Sequence, residues 1–356
     1  MTEAERTQGI DGPAGARRTG ERILLAHGSG GRLTHQLVRE MFVPPLDNAV
    51  LRTLTDAAIL PALSPGARPV LTTDAYVIDP PVFPGGDLGY LSICGTVNDL
   101  SVAGARPLFL TWALILEEGA EHDLVATCAA GAARAAKESG IAVVAGDTKV
   151  VPRGKGDRIY ITTAGLGELP PGRELGDAHI RPGDALIVSG PIGDHGATIL
   201  AERHKLSGPA LRSDCAPLAG LLASLLSLGL GVRSMHDPTR GGVLGTCHEV
   251  AGRSGCHLAL EERALPVRPG VRVVCDLLGL EPLALPCEGR ALIWIAPQDA
   301  AAALTELRRH PLGEGAAIIG EVFEAPAHGS PVTLRNAYGA VRPLDLLSGM
   351  DLPRIC

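Results

Sequence analysis

The chain has 356 residues, room for about two domains of roughly 150 residues, which excludes a lone binding module. Its 32 Lys and Arg against 39 Asp and Glu leave a formal charge of −7, which excludes a basic surface for nucleic acid or anionic lipid. Hydrophobic content of 46% excludes wholesale disorder, 3% aromatics argues against base-stacking platforms, and 45 Gly with 28 Pro call for many tight turns and backbone-lined pockets.

Residues 1–20 show neither apolar periodicity nor an apolar signal core, so they are expected to form a flexible lead outside the fold. The run His27, Gly28, Ser29, Gly30, Gly31 precedes a helical pattern at Leu33, Leu37 and Met41. Exposed N–H groups and a hydroxyl at a helix start suit an anion, although a Gly-rich run is more often only a turn. No P-loop sequence occurs. Strands are expected over 70–73, 108–116, 141–145 and 158–164, with helices over 88–103 and 122–138.

Several of these apolar runs are followed by an acid or an amide: Asp74, then Asn98 with Asp99, then Gly146, Asp147 and Thr148, with Asp56 upstream. Strand ends that each deliver a carboxylate into one cleft would make an oxygen-rich site for Mg²⁺ on phosphates. Taken singly, each acid reads first as a helix or turn cap, and it is their recurrence that raises the metal reading. Lys149 follows Asp147 by two residues, so on an extended segment both side chains point the same way. That spacing suits a cation beside a phosphate and also an ordinary surface ion pair.

The Pro- and Gly-rich run 169–173 predicts a domain boundary near 169–180. Beyond it, strands are expected over 184–189, 292–296 and 316–322, and helices over 197–204, 217–228, 242–254 and 299–309. The expected organisation is a lead at 1–20, one α+β domain at 21–168, a second at 169–340, and a flexible tail at 341–356. The longest uncharged stretch, 216–232, is broken by Pro217 and Gly220 and is too short to span a membrane. Asp194 with His195, and Asp237 ahead of Gly241 and Gly242, each open a helix and read as anion or metal cradles or as N-caps. Glu288 precedes a strand; it would serve as a base if it faced a cleft, and solvent exposure is its default.

Eight cysteines without a CxxC pair predict reduced thiols in a cytoplasm, and Cys247 with Cys256 and His257 makes only a weak metal-ligand pattern. The last residue, Cys356, lies three places after Pro353 on an expected flexible arm. A terminal thiol of this kind can travel into an active site as substrate.

The ordered set His27 to Gly31, Thr73 to Asp79, Phe83 to Gly86, Ile93 to Asp99, Ile115 to Gly119, Gly146 to Val150, Gly193 to Thr198, Thr239 to Gly242 and Pro353 to Cys356 resembles the hydrogenase expression/formation protein HypE family. The resemblance implies an aminoimidazole ribonucleotide synthetase-like fold, α+β in two domains, with N-terminal domains pairing in a homodimer. It implies an ATP-dependent carbamoyl dehydratase that matures nickel-iron hydrogenase: a HypF-type carbamoyltransferase loads Cys356, dehydration leaves a thiocyanate, and the cyano group passes to iron on a HypC–HypD complex. ATP would be bound by Gly28, Ser29, Gly30, Gly31, Asp74, Asn98, Gly146, Asp147 and Thr148, and Mg²⁺ by Asp56, Asp74, Asp99 and Asp147. Lys149 and Glu288 would serve dehydration at one site, with Glu288 as base and Lys149 stabilising charge or relaying a proton.

Overall fold

A computed structural model describes residues 20–206, 211–325 and 328–346. The first unit runs α1 (Arg32–Leu37), β1 (Arg68–Tyr76), β2 (Val82–Phe83), β3 (Gly86–Asp87), α2 (Leu88–Val102), β4 (Arg106–Glu117), α3 (His122–Ser139), β5 (Ala142–Val151) and β6 (Ile159–Leu169). Its main sheet has the order β1-β6-β4-β5, antiparallel except for the β4–β5 pair, which α3 connects as a crossover.

One face of this sheet packs on the helices. Leu110, Trp112, Leu114 and Leu116 of β4 and Ile159 and Ile161 of β6 are buried in that core. Helix α2 is apolar around most of its circumference because the sheet, α3 and the second unit all pack against it. It starts where Asp87 accepts the Tyr90 N–H at 2.9 Å, and Gly89 lets it approach the α3 backbone at Cys128. The opposite face, which carries Leu71, Thr73 and Ala75 of β1, Ala164 of β6, and Thr111, Ala113 and Ile115 of β4, is covered by no described element. Leu71 is 75% exposed there.

The second unit runs β7 (Ala185–Val188), α4 (Asp194–His204), α5 (Ala219–Ser227), β8 (Val232–His236), α6 (Gly242–Ser254), β9 (Cys256–Glu261), α7 (Pro269–Leu278), β10 (Leu292–Ile295), α8 (Ala300–Arg309), β11 (Ala317–Glu324), β12 (Val332–Arg335) and β13 (Val341–Pro343). Its seven-stranded sheet has the order β13-β12-β9-β11-β7-β10-β8. Leu186, Leu292 and Trp294 face a core with Leu244 and Cys247 of α6, while Ile187, Ile293 and Ile295 face one with Leu222 of α5 and Ala303 of α8. Helices on both faces explain why β7 and β10 are continuous apolar runs.

The expected tail boundary at 341 falls too early. Val341–Pro343 pairs with β12 as β13, and Leu344 is buried in the second core. The lead as far as residue 19 and the tail from 347, with Cys356, lie outside the described residues.

Candidate functional site

The sequence-predicted site residues fall into two groups at opposite edges of the first sheet. At the β5 edge, the turn holding Gly28 lies on β5 so closely that a Cβ there would come within 2.5 Å of the Val150 nitrogen. Ser29 donates its hydroxyl to the Ala26 carbonyl at 2.9 Å, Gly30 donates its N–H to Thr34 at 3.0 Å, and Gly31 leads into α1. A cavity of about 380 Å³ opens between α1, the 50–58 loop and β5; buried Phe42, Trp112 and Leu114 line it, together with exposed Asp56 and Asp147. Gly146 and Thr148 complete this group on β5.

Asp147 and Lys149 form the exposed ion pair that period-2 geometry allows, at 2.7 Å. The hydrogen bond from Lys149, helped by the Thr148 N–H and opposed by slight burial, holds the Asp147 carboxyl below the usual range. Lys149 pairs across the sheet with Ile115, so it stands on the uncovered face.

The second group collects where β1 and α2 meet the second unit. Asp74 accepts the Tyr76 hydroxyl at 2.8 Å, and Asp99 accepts the Thr72 hydroxyl at 2.7 Å. Burial and then the charge of Asp74 push Asp99 up to about 6. Asp237, on the loop after β8, is pushed up to about 8 by burial and then by Asp99 and Asp74. Glu288 is 2% exposed, so solvent exposure is corrected; burial, then Asp237, Asp214, Asp74 and Asp99, drives its carboxyl far above the usual range. Its Oε1 has no hydrogen-bond partner among the described residues.

This is an all-oxygen set whose members repel one another, with two buried oxygens, Glu288 Oε1 and Asp214 Oδ2, lacking a hydrogen-bond partner among the described residues, and it fits a hard divalent cation in kind. Among the described residues no three acids, histidines or cysteines converge closely enough to hold a metal by themselves. Mg²⁺ needs no such cage, because it commonly takes one or two carboxylates together with phosphate oxygens and water. The four aspartates expected to share a site therefore divide, Asp74 and Asp99 at the β1 edge, Asp56 and Asp147 at the β5 edge. Lys149 and Glu288 divide the same way, with β4 and β6 between the two strand edges, and no contact among the described residues joins them.

Asn98 faces the second unit rather than an open cleft. It is 1% exposed, donates to the carbonyls of Ala216 and Glu288 at 3.1 and 3.2 Å, and accepts the Leu218 N–H at 2.8 Å. The Asp194 and His195 cradle is also closed: Asp194 is buried against Arg268, and His195 is buried with Nδ1 2.8 Å from the Ser213 hydroxyl and its ring edge-on to Phe83. Cys247 lies in the α6 core, and His257 bonds Thr333 at 3.0 Å, so the weak Cys and His pattern forms no ligand set. Tyr76 lies within the Thr73 to Asp79 motif but is assigned no role from the sequence, and Asp214 stands in no motif and gains its place only through the fold.

Residues 54–169 match the family described as AIR synthase related protein, N-terminal domain, and residues 181–332 match AIR synthase related protein, C-terminal domain. The carbamoyl dehydratase HypE of Rhodobacter capsulatus is 47% identical over 341 residues, which cover 94% of this chain and 98% of that protein. A crystal structure of the hydrogenase maturation protein HypE in complex with ATP aligns with a TM-score of 0.89 at 43% identity, covering 94% of this chain and 99% of that one. A HypE–HypF complex contains a chain that aligns with a TM-score of 0.76 at 40% identity, covering 87% of this chain and 99% of that one.

Proposed function

The chain belongs to the AIR synthase related family and, within it, to the carbamoyl dehydratases HypE, and on that premise we propose how its residues divide the work. It is an ATP-dependent carbamoyl dehydratase of hydrogenase maturation. The substrate is the S-carbamoyl group on its own Cys356, loaded by a HypF-type carbamoyltransferase, and the product is a thiocyanate whose cyano group goes to iron on a HypC–HypD complex. The observation that carries the reading is Glu288: a buried carboxyl with an unpartnered oxygen, placed among carboxylates where the two domains meet.

In the proposed reaction the carbamoyl oxygen attacks the γ-phosphorus of ATP and ADP departs, which turns a poor leaving group into a phosphate ester. Loss of the N–H protons and cleavage of the C–O bond then give S–C≡N and inorganic phosphate. Glu288 takes an N–H proton in this step. Burial first, and then the neighbouring carboxylates, favour the neutral form of Glu288, so a positive charge beside it is needed to favour the carboxylate that acts as base. Asp74, Asp99, Asp147 and Asp56 are the residues that would hold Mg²⁺, which would supply positive charge to the carboxylates and the phosphates. The cavity at the β5 edge, beside Gly28, Ser29, Gly30 and Gly31, takes the nucleotide; Gly146 and Thr148 line it, and Lys149 stabilises charge on the transferring group.

The uncovered sheet face supports the reading of a homodimer. Leu71, Ile115 and the small side chains around them form a face that no other described element covers, and a twofold apposition can place the β5 edge of one protomer beside the β1 edge of the other. Among the described residues no helix is long and apolar enough to cross a membrane.

Mass spectrometry of the C-terminal peptide tests the reaction. Incubation with carbamoyl phosphate, Mg-ATP and an active HypF-type carbamoyltransferase is expected to give a carbamoyl adduct on Cys356 that loses one water only when ATP is present. An unmodified Cys356 beside a demonstrably active transferase would refute the self-modification.

A further inference from the structure

Glu288 differs from the other acids of its cluster in how its backbone is held. Its N–H donates to Asp214 Oδ1 at 3.2 Å, and its carbonyl accepts from Asn98 Nδ2 at 3.2 Å and from the Ala216 N–H at 3.4 Å. Two side chains from different parts of the fold, one on α2 and one on the loop before α5, thus grip the two peptide groups of a residue whose carboxyl oxygen Oε1 has no partner. Both grips are themselves anchored. Asn98 also binds the Ala216 carbonyl and the Leu218 N–H, which ties the same loop to α2. Asp214 is fully buried and faces Arg290 Nε at 3.4 Å, while Arg290 donates to the carbonyls of Pro191, Gly289 and Leu312. Gly289 permits the contact: a Cβ there would lie 1.9 Å from the Asp214 carbonyl oxygen.

A buried turn needs its peptide groups satisfied, and nearby backbone usually does that. Spending a buried carboxylate and a buried amide on one residue's backbone, while leaving that residue's own head free, fixes the direction of the head instead. We propose that Asp214 and Asn98 are positioning residues that aim the Glu288 carboxyl at the reacting carbamoyl group. This rests on the reading of Glu288 as the base. A displacement of about 1 Å at a reacting group costs on the order of a hundredfold in rate, so a clamp of this kind acts on turnover rather than on nucleotide binding.

The test uses the full chain carbamoylated at Cys356, which reacts once, and follows the first-order rate constant of that single dehydration at saturating ATP (as kcat), the ATP concentration giving half that rate (as KM) and the melting temperature. Asp214→Ala, which removes the acceptor, is expected to lower kcat about tenfold to a hundredfold with KM for ATP unchanged. Asp214→Asn keeps an oxygen for the Glu288 N–H and is expected to recover most of that loss. Asn98→Ser, which no longer reaches the Glu288 carbonyl, is expected to lower kcat in the same way, and it decides the matter if Asp214→Ala does not fold. Wild-type kcat in Asp214→Ala or Asn98→Ser overturns the clamp. So does an Asp214→Asn no better than Asp214→Ala with KM and melting temperature moving alongside, which is the signature of a merely structural role. Glu288→Gln separates the two readings: if it turns over normally the base assignment fails, and if it is inactive while the clamp variants run normally only the clamp fails.

Discussion

The carboxylates at the domain junction leave a signature in stability as well as in catalysis. Asp99, at about 6, and Asp237, at about 8, are both raised above their unfolded values near 4, so between pH 4 and 8 the folded chain binds more protons than the unfolded one. The contribution of these two groups to stability then falls as pH rises through that window, while His257, lowered by burial, acts with the opposite sign near its own titration. Asp177 acts with the opposite sign: burial pushes its carboxyl up, but hydrogen bonds from His236, Ser234 and Arg253 bring it down to about 2. Its contribution, about 2 kcal/mol, is complete above pH 4 and is lost only as pH falls toward 2, so it is constant where the other two titrate. The nucleotide-free protein is therefore expected to melt several degrees higher at pH 6 than at pH 8 in thermal scans. Mg-ATP should flatten the difference by supplying positive charge to the cluster; a melting temperature that rises from pH 6 to pH 8 without nucleotide would contradict this account of the junction.

At the scale of elements, α2 carries more of the site than any strand, because it presents Asn98 to the second domain, Asp99 to β1, and Gly89 to α3. Gly89→Ala would set a Cβ 1.8 Å from the Cys128 carbonyl oxygen, a backbone atom that cannot rotate away. Overpacking of this kind costs about 1–3 kcal/mol or more, and a shift of α2 would carry Asn98 and Asp99 with it. Urea melts should show the loss of stability, and ATP turnover should fall further than the melt alone explains; a fully active variant of wild-type stability would show that α2 and α3 can part without cost. The elements α3, β4 and β6 were legible because their apolar faces repeat over many residues, and α2 because its apolar run is too long for a strand. The strands β8, β9, β12 and β13 and helix α7 were not, since three to ten residues of mixed character gain their identity only from neighbours in the sheet and the second core. Glu288 was legible as chemistry and misjudged as surface, because its burial comes from residues 98, 214 and 237, all distant in sequence.

For the whole molecule, the informative fact is that one chain holds the candidate residues in two halves. Period-2 reasoning put Asp147 and Lys149 correctly on one side of β5, but nothing local in a sequence states which edge of a sheet a strand will occupy. Order β1-β6-β4-β5 places three strand spacings, about 14 Å, between the edge carrying Asp74 and the edge carrying Lys149. Dimerisation through the uncovered face can close that gap between chains. If it does, each complete site takes Lys149 from one protomer and Glu288 from the other, and two inactive variants should rescue each other. Lys149→Ala and Glu288→Gln, each inactive alone, would on mixing and re-equilibration form heterodimers with one intact site of two. Random reassortment then restores about a quarter of wild-type dehydration, since half the dimers are mixed and each mixed dimer has half its sites intact. Activity that stays at zero, while subunit exchange is demonstrated with differently tagged chains, would place both residues in a site completed within one protomer by movement of β5 or of the tail.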